Sequence, residues 1–199
     1  MSFDDFKALI GLTFRNPEAA ATALIGTGLP VSARWMALLL AVSVSALLAW
    51  LSSQLFPLPQ GEAGNVPVLA VTSQPMVLAG MQLVAVLLAA GLMAGVGRMF
   101  GGHGRFEDAL LLTVWIEVVL LLVQAVQIAA TLILPGVAGI LGVLAIALFF
   151  WLTVQFTKAL HGFTSGIKVF LGLVGTAFAV GFVLSLLAAS FGLFPEVPQ

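Results

Sequence analysis

The chain of 199 residues contains no cysteine, no tyrosine and only two histidines, and charged residues make up just 8% of it. Each shortage excludes something. Without cysteine there is no disulfide, no thiolate metal site and no thiol nucleophile. With so little charge, no helix keeps a polar face for water, so the chain does not read as a soluble bundle. The formal net charge of -1 argues against a nucleic-acid surface. The N-terminal stretch lacks a basic start, an apolar core and a small-residue cleavage site, so no signal peptide is expected. No nucleophile stands with a base and an orienting group, so neither catalysis nor a cofactor is expected.

What the chain has is hydrophobic length. Hydrophobic residues account for 61% of it, and apolar runs of roughly 20 residues read as transmembrane helices. Five spans are expected, at about 35–56, 75–98, 108–134, 136–157 and 167–191. The fold class is therefore all-α: a polytopic membrane protein, a five-helix transmembrane bundle with an amphipathic N-terminal helix. Residues 1–33 form an N-terminal segment, 34–192 the membrane domain and 193–199 a tail.

All seven bases fall on one side of that arrangement. Lys7, Arg15 and Arg34 precede the first span, Arg98 and Arg105 flank the second connection, and Lys158 and Lys168 flank the fourth. The positive-inside rule then places the N-terminus in the cytoplasm and the C-terminus outside. Trp35 and Trp151 sit near the inner boundary and Trp50 near the outer one, where they serve as anchors.

The N-terminal segment is amphipathic. Phe3, Phe6, Leu9, Ile10, Thr13 and Phe14 share one arc of a helix, with Asp4, Asp5, Ala8 and Gly11 opposite and Leu12 off the pattern. Such a helix is expected to lie in the membrane interface. Asn16-Pro17-Glu18 then supplies an N-cap, a first-position proline and an acid in the first turn. A short helix is expected over 17–26, ended by Gly28 and Pro30. The connection after the first span is rich in Pro and Gly (Pro57, Pro59, Gly61, Gly64, Pro67) and reads as an irregular outer loop. Leu134-Pro135-Gly136 reads as a tight turn joining the third and fourth spans.

Small residues mark expected helix contacts: Gly91 and Gly95 on the second span, Gly136, Gly139 and Gly142 on the fourth, and Gly172, Gly175 and Ala179 on the fifth. They suit packing within the bundle or between copies.

The third span carries a polar stripe. Thr113, Glu117, Gln124, Gln127 and Thr131 fall within about 80° of arc. Glu117 lies about 14 Å from the inner edge at 1.5 Å per residue. An ionised acid there costs roughly 2.5–3.5 kcal/mol, so it is expected to be protonated, paired or wet. Counting from the inner edge sets Glu117 level with Ser43 or Ser45 and with Thr176, and Gln124 level with Gln82 and Ser185. The stripe is expected to face the bundle centre, either as hydrogen-bonding glue between helices or as a transport path.

The second connection reads Gly97-Arg98-Met99-Phe100-Gly101-Gly102-His103-Gly104-Arg105-Phe106. Its glycines permit turns and close backbone approach. It lacks the Gly-Lys-Ser/Thr ending of a phosphate loop. The fourth connection contains Leu160-His161-Gly162-Phe163. His103 and His161 share one side with Glu107 and Asp108, a weak zinc candidate without tight ligand spacing, so no metal site is assigned.

These features resemble the Yip-type (Ypt/Rab-interacting) family of integral membrane proteins, in particular its bacterial branch. The resemblance rests on Asn16-Pro17-Glu18 before the first span, on Gly97-Arg98 with Gly101-Gly102-x-Gly104-x-Phe106 after the second, and on Leu160-His161-Gly162-Phe163 before the fifth. It runs from about residue 16 to 191. It implies a five-helix bundle in the cell membrane with a cytoplasmic N-terminus. Eukaryotic members act in vesicle trafficking, bind Rab-type GTPases, and carry Asp-Leu-Tyr-Gly-Pro and Gly-Tyr motifs. A chain without tyrosine has neither, so Rab binding is not carried over. A non-enzymatic scaffold or adaptor is expected, with membrane-protein partners or a second copy.

Overall fold

The computed structural model describes residues 2–56 and 74–190, and every regular element among them is a helix. In chain order these are α1 (Phe3–Arg15), α2 (Pro17–Gly26), α3 (Val31–Leu55), α4 (Pro75–Met99), α5 (Phe106–Ile133), α6 (Ala138–His161) and α7 (Gly166–Ser190). A single 3-10 turn, Pro135–Val137, joins α5 to α6. The expected loop over 57–73 and the tail over 193–199 lie outside the described residues.

Local sequence sets the helix ends. Ser2 caps α1 reciprocally: its hydroxyl accepts from the Asp5 N–H at 3.1 Å, and the Asp5 carboxylate accepts from the Ser2 N–H at 2.7 Å. That backbone N–H holds the Asp5 carboxyl below the usual carboxylate range. The Asn16 side chain accepts from Ala19 N–H at 3.1 Å and starts α2, with Pro17 in the first turn. Gly162, at φ 70°, ends α6 in the left-handed region, and the Phe163 N–H returns to the Lys158 carbonyl at 3.0 Å. This is the glycine-terminated helix end that leaves few carbonyls unpaired.

Two helices run longer than the apolar count. α3 begins at Val31 rather than 35, and α6 reaches His161 rather than 157. Hydropathy stops at the first charge, but a paired charge can stay helical and buried. Arg34 does so: its Nη1 meets Asp108 Oδ1 at 2.8 Å and its Nε donates to the Leu29 carbonyl at 3.0 Å.

α5 is the hub and packs against α2, α3, α4 and α6. One core cluster joins Leu24, Leu112, Trp115, Ile116, Leu152 and Phe156, with Leu9 of α1 at its rim. A second joins Leu38 and Val42 of α3, Val86 and Ala90 of α4, and Leu110 and Val114 of α5. α7 packs mainly on α6 and has no buried residue. Met36, Leu40, Val84, Ile140, Phe178 and Phe182 point outward and are more than half exposed. Such large apolar faces suit lipid rather than water. All five of α3 to α7 are long and apolar enough to cross a membrane.

Candidate functional site

The glycine-rich connection after α4 closes around one imidazole. His161 is buried, and its Nδ1 accepts from the Gly104 N–H at 3.1 Å. The proton therefore sits on Nε2, which donates to the Met93 carbonyl at 2.9 Å. The ring also stacks on Phe163, with centroids 5.3 Å apart and planes at 19°. Three glycines make room for it. A Cβ on Gly97 would lie 2.1 Å from Nε2, one on Gly102 2.2 Å from Nδ1, and one on Gly104 2.6 Å from Cε1. No side chain fits at any of the three. Gly101, at φ 87°, turns the chain so that Gly102 and Gly104 can face the ring.

His161 thus clasps the end of α4, the 101–105 connection and the end of α6. With both nitrogens engaged by backbone, it has none to offer a metal. His103 is exposed. Asp108 is committed to Arg34 and Glu107 to Arg105. Among the described residues no group of three His, Asp or Glu side chains could hold a metal. Of the other residues in this motif, Arg98 is exposed, with its Nε on the Ala94 carbonyl at 3.2 Å, and Phe106 opens α5.

The polar stripe of α5 divides among separate contacts. The Gln82 amide donates to Glu117 Oε1 and also to Ser45 Oγ, the latter at 2.8 Å, so α3, α4 and α5 are tied at one point. Gln127 Nε2 donates to the Ala138 carbonyl at 3.1 Å across the α5–α6 turn. Thr113 and Thr131 turn their hydroxyls onto the Ala109 and Gln127 carbonyls of their own helix. Gln124 is half-buried, with no side-chain hydrogen bond among the described residues.

Counting depth from the helix edges set Glu117 level with Ser45, and the two do meet at the Gln82 amide, but it mispaired Gln82 itself. It set Gln82 beside Gln124, whereas Gln82 meets Glu117. The register is set at His161, where Gly97 of α4 and Gly104 of the following connection lie against the same ring. Fifteen residues separate Gln82 from Gly97 and thirteen separate Gly104 from Glu117, a mismatch of only about 3 Å at 1.5 Å per residue. Ser43 faces outward. Thr176 and Ser185 bond the Gly172 and Gly181 carbonyls of α7 rather than Glu117 or Gln124.

The N-terminal helices dock on this core. The Trp115 indole N–H donates to Thr13 Oγ at 2.9 Å, and Thr13 donates in turn to the Leu9 carbonyl at 2.8 Å. Phe6 meets the Trp115 ring edge-on at 5.6 Å. Glu18 pairs with Lys158. The apolar arc of α1 is therefore split: Leu9 and Thr13 are buried in protein, while Phe3 and Phe14 stay exposed. Sequence reasoning passed over Trp115. Its position well inside a span, away from both boundaries, was the available signal, because a buried indole N–H needs an acceptor.

The small residues are mostly open. A Cβ on Gly91, Gly95, Gly136, Gly139, Gly172 or Gly175 would meet nothing within 4 Å, and one on Gly142 meets only Gln127 Nε2 at 3.8 Å. The tight glycine contacts of this bundle are those around His161.

A model of the Yip1 domain matches residues 11–188. No curated protein and no solved structure matches the chain. The matched stretch takes in the His161 clasp, the Gln82–Glu117 bridge and the Trp115 contact. With five helices able to cross a bilayer, the chain is a multi-pass membrane protein and belongs to the Yip1 family.

Proposed function

We propose that this protein is a non-enzymatic scaffold or adaptor of the bacterial inner membrane, working through contacts with other membrane proteins or a second copy of itself. Its N-terminus lies in the cytoplasm and its C-terminus outside, in keeping with the one-sided bases. The observation that carries the reading is the uncovered glycine face of α4 and α7. Gly91, Gly95 and Gly175 have open space around them, and α7 has no buried residue. In lipid such small-residue faces favour helix association by close backbone approach. A Rab-type GTPase is not the expected partner, since the chain has no tyrosine for the motifs those members carry.

A transporter built on Glu117 is the weaker reading, because Gln82 holds the carboxylate and the polar stripe serves several unconnected contacts. Lipid or curvature handling by α1 is weaker too, because its central apolar residues pack on protein.

The absence of cysteine makes the test direct. Single cysteines at Leu88 and Leu184, both outward-facing, are crosslinked in native membranes, with and without Gly91→Leu or Gly175→Leu. The scaffold reading expects discrete crosslinked species that the leucine variants lose while their melting temperatures hold. Crosslinks that persist in both variants, or none at any position, would overturn it.

A further inference from the structure

A cavity of about 760 Å³ opens between α4, α5, α6 and α7, within the roughly 300–1,000 Å³ typical of small-molecule sites. Its walls include Leu92 and Val96 of α4, Ile116 of α5, Phe149 of α6 and Val169 and Leu173 of α7. Threonines line it as well, but they make no polar demand on an occupant. Thr113, Thr153, Thr157 and Thr176 all donate to carbonyls of their own helices, at 2.6–2.8 Å. The chamber is therefore apolar in effect, and a chain of methylenes satisfies it.

The mouth is different. Thr164, Ser165 and Lys168 line the end that carries the bases. The neighbouring carboxylates are already used: Glu18 is on Lys158, Asp108 on Arg34 and Glu107 on Arg105. Lys168 is exposed and has no carboxylate partner among the described residues. The cavity thus pairs a cationic, hydroxyl-bearing mouth with a greasy interior.

Its depth also fits. The lining on α7 runs from Lys168 to Ala177, about 13 Å at 1.5 Å per residue. Half of a hydrocarbon core of about 30 Å is about 15 Å. The chamber is as deep as one leaflet.

We propose that this cavity holds one anionic glycerophospholipid of the leaflet at the basic end, its phosphate at Lys168, Thr164 and Ser165 and an acyl chain in the chamber. A lipid there fills the gap that keeps α7 from packing on α4. The site does not depend on the scaffold role, since a monomer holds the lipid as well as an oligomer does.

The test uses the full chain in phosphatidylcholine nanodiscs that contain a minor share of phosphatidylglycerol. Lipid retained after extraction is counted by native mass spectrometry. The expected result is one phosphatidylglycerol per chain, enriched over its share of the bilayer. Lys168→Glu should cut that enrichment by about fivefold or more, since one basic residue near an anionic surface is worth about that factor. Lys168 is exposed, so this variant keeps its fold. Gly172→Phe, with open space at its Cβ, should fill the chamber and lose the retained lipid. Retention in the bulk lipid ratio, or enrichment unchanged by Lys168→Glu, overturns the proposal. So does a disulfide between copies through Leu173→Cys, which would put a second copy's helix in the cavity.

Discussion

Gly97→Ala is the sharpest probe of the fold. The methyl would stand 2.1 Å from His161 Nε2, where van der Waals contact needs about 3.5 Å. The ring must retreat by about 1.4 Å, away from the helix that carries Met93. The Nε2–H···O bond, now 2.9 Å, is then lost. Overpacking costs about 1–3 kcal/mol and stranding a buried polar group about 1–3 kcal/mol. Alanine returns about 1 kcal/mol of helix propensity, so the net loss should be about 1–5 kcal/mol. In a His161→Ala background the ring is gone and only the propensity remains, so the same change should stabilise by up to about 1 kcal/mol. Unfolding in mixed micelles, followed by tryptophan fluorescence, gives all four corners of this cycle. A neutral Gly97→Ala, or one equally harmful with and without His161, would refute the reasoning.

Thr13→Val should strand the Trp115 N–H and cost about 1–3 kcal/mol, read as a lower melting temperature together with faster proteolysis of residues 3–15. Glu117→Gln keeps an acceptor for the Gln82 amide and should change stability little, whereas Glu117→Leu should cost about 1–2 kcal/mol in the same micelle titration. Arg34→Ala breaks an ion pair whose side chains are 8% and 18% exposed. Its cost should fall near the lower end of about 3–5 kcal/mol, because Asp108 keeps its favourable place in the first turn of α5. Double-mutant cycles with Asp108→Ala measure that coupling.

The legible parts of this fold are those that depend on a residue and its near neighbours. Asn16-Pro17-Glu18 marks the start of α2 because capping chemistry spans only four residues. The five long helices follow from apolar runs alone. The glycine cluster was visible as a motif, but its reason was not: no spacing rule says that Gly97, Gly102 and Gly104 surround a ring 57 to 64 residues away. The Gln82–Glu117 contact was missed for the same cause. Helix register depends on where two backbones touch, and the touching point is His161 rather than the membrane edge. Arg34 counted only as a topology marker and is also a buried partner of Asp108, because a guanidinium can be satisfied by one carboxylate and one carbonyl.

The contact of Thr13 with Trp115 joins residues 102 apart, and that of Glu18 with Lys158 joins residues 140 apart. The N-terminal helices are made first, but their binding groove is made almost last. At about 5–20 residues per second of synthesis, the hairpin waits roughly 5–30 s for α5 and α6. During that interval Leu9, Ile10 and Phe6 have no protein to cover them. An amphipathic α1 can rest on the bilayer surface meanwhile, so its periodicity serves the order of assembly as well as the finished fold.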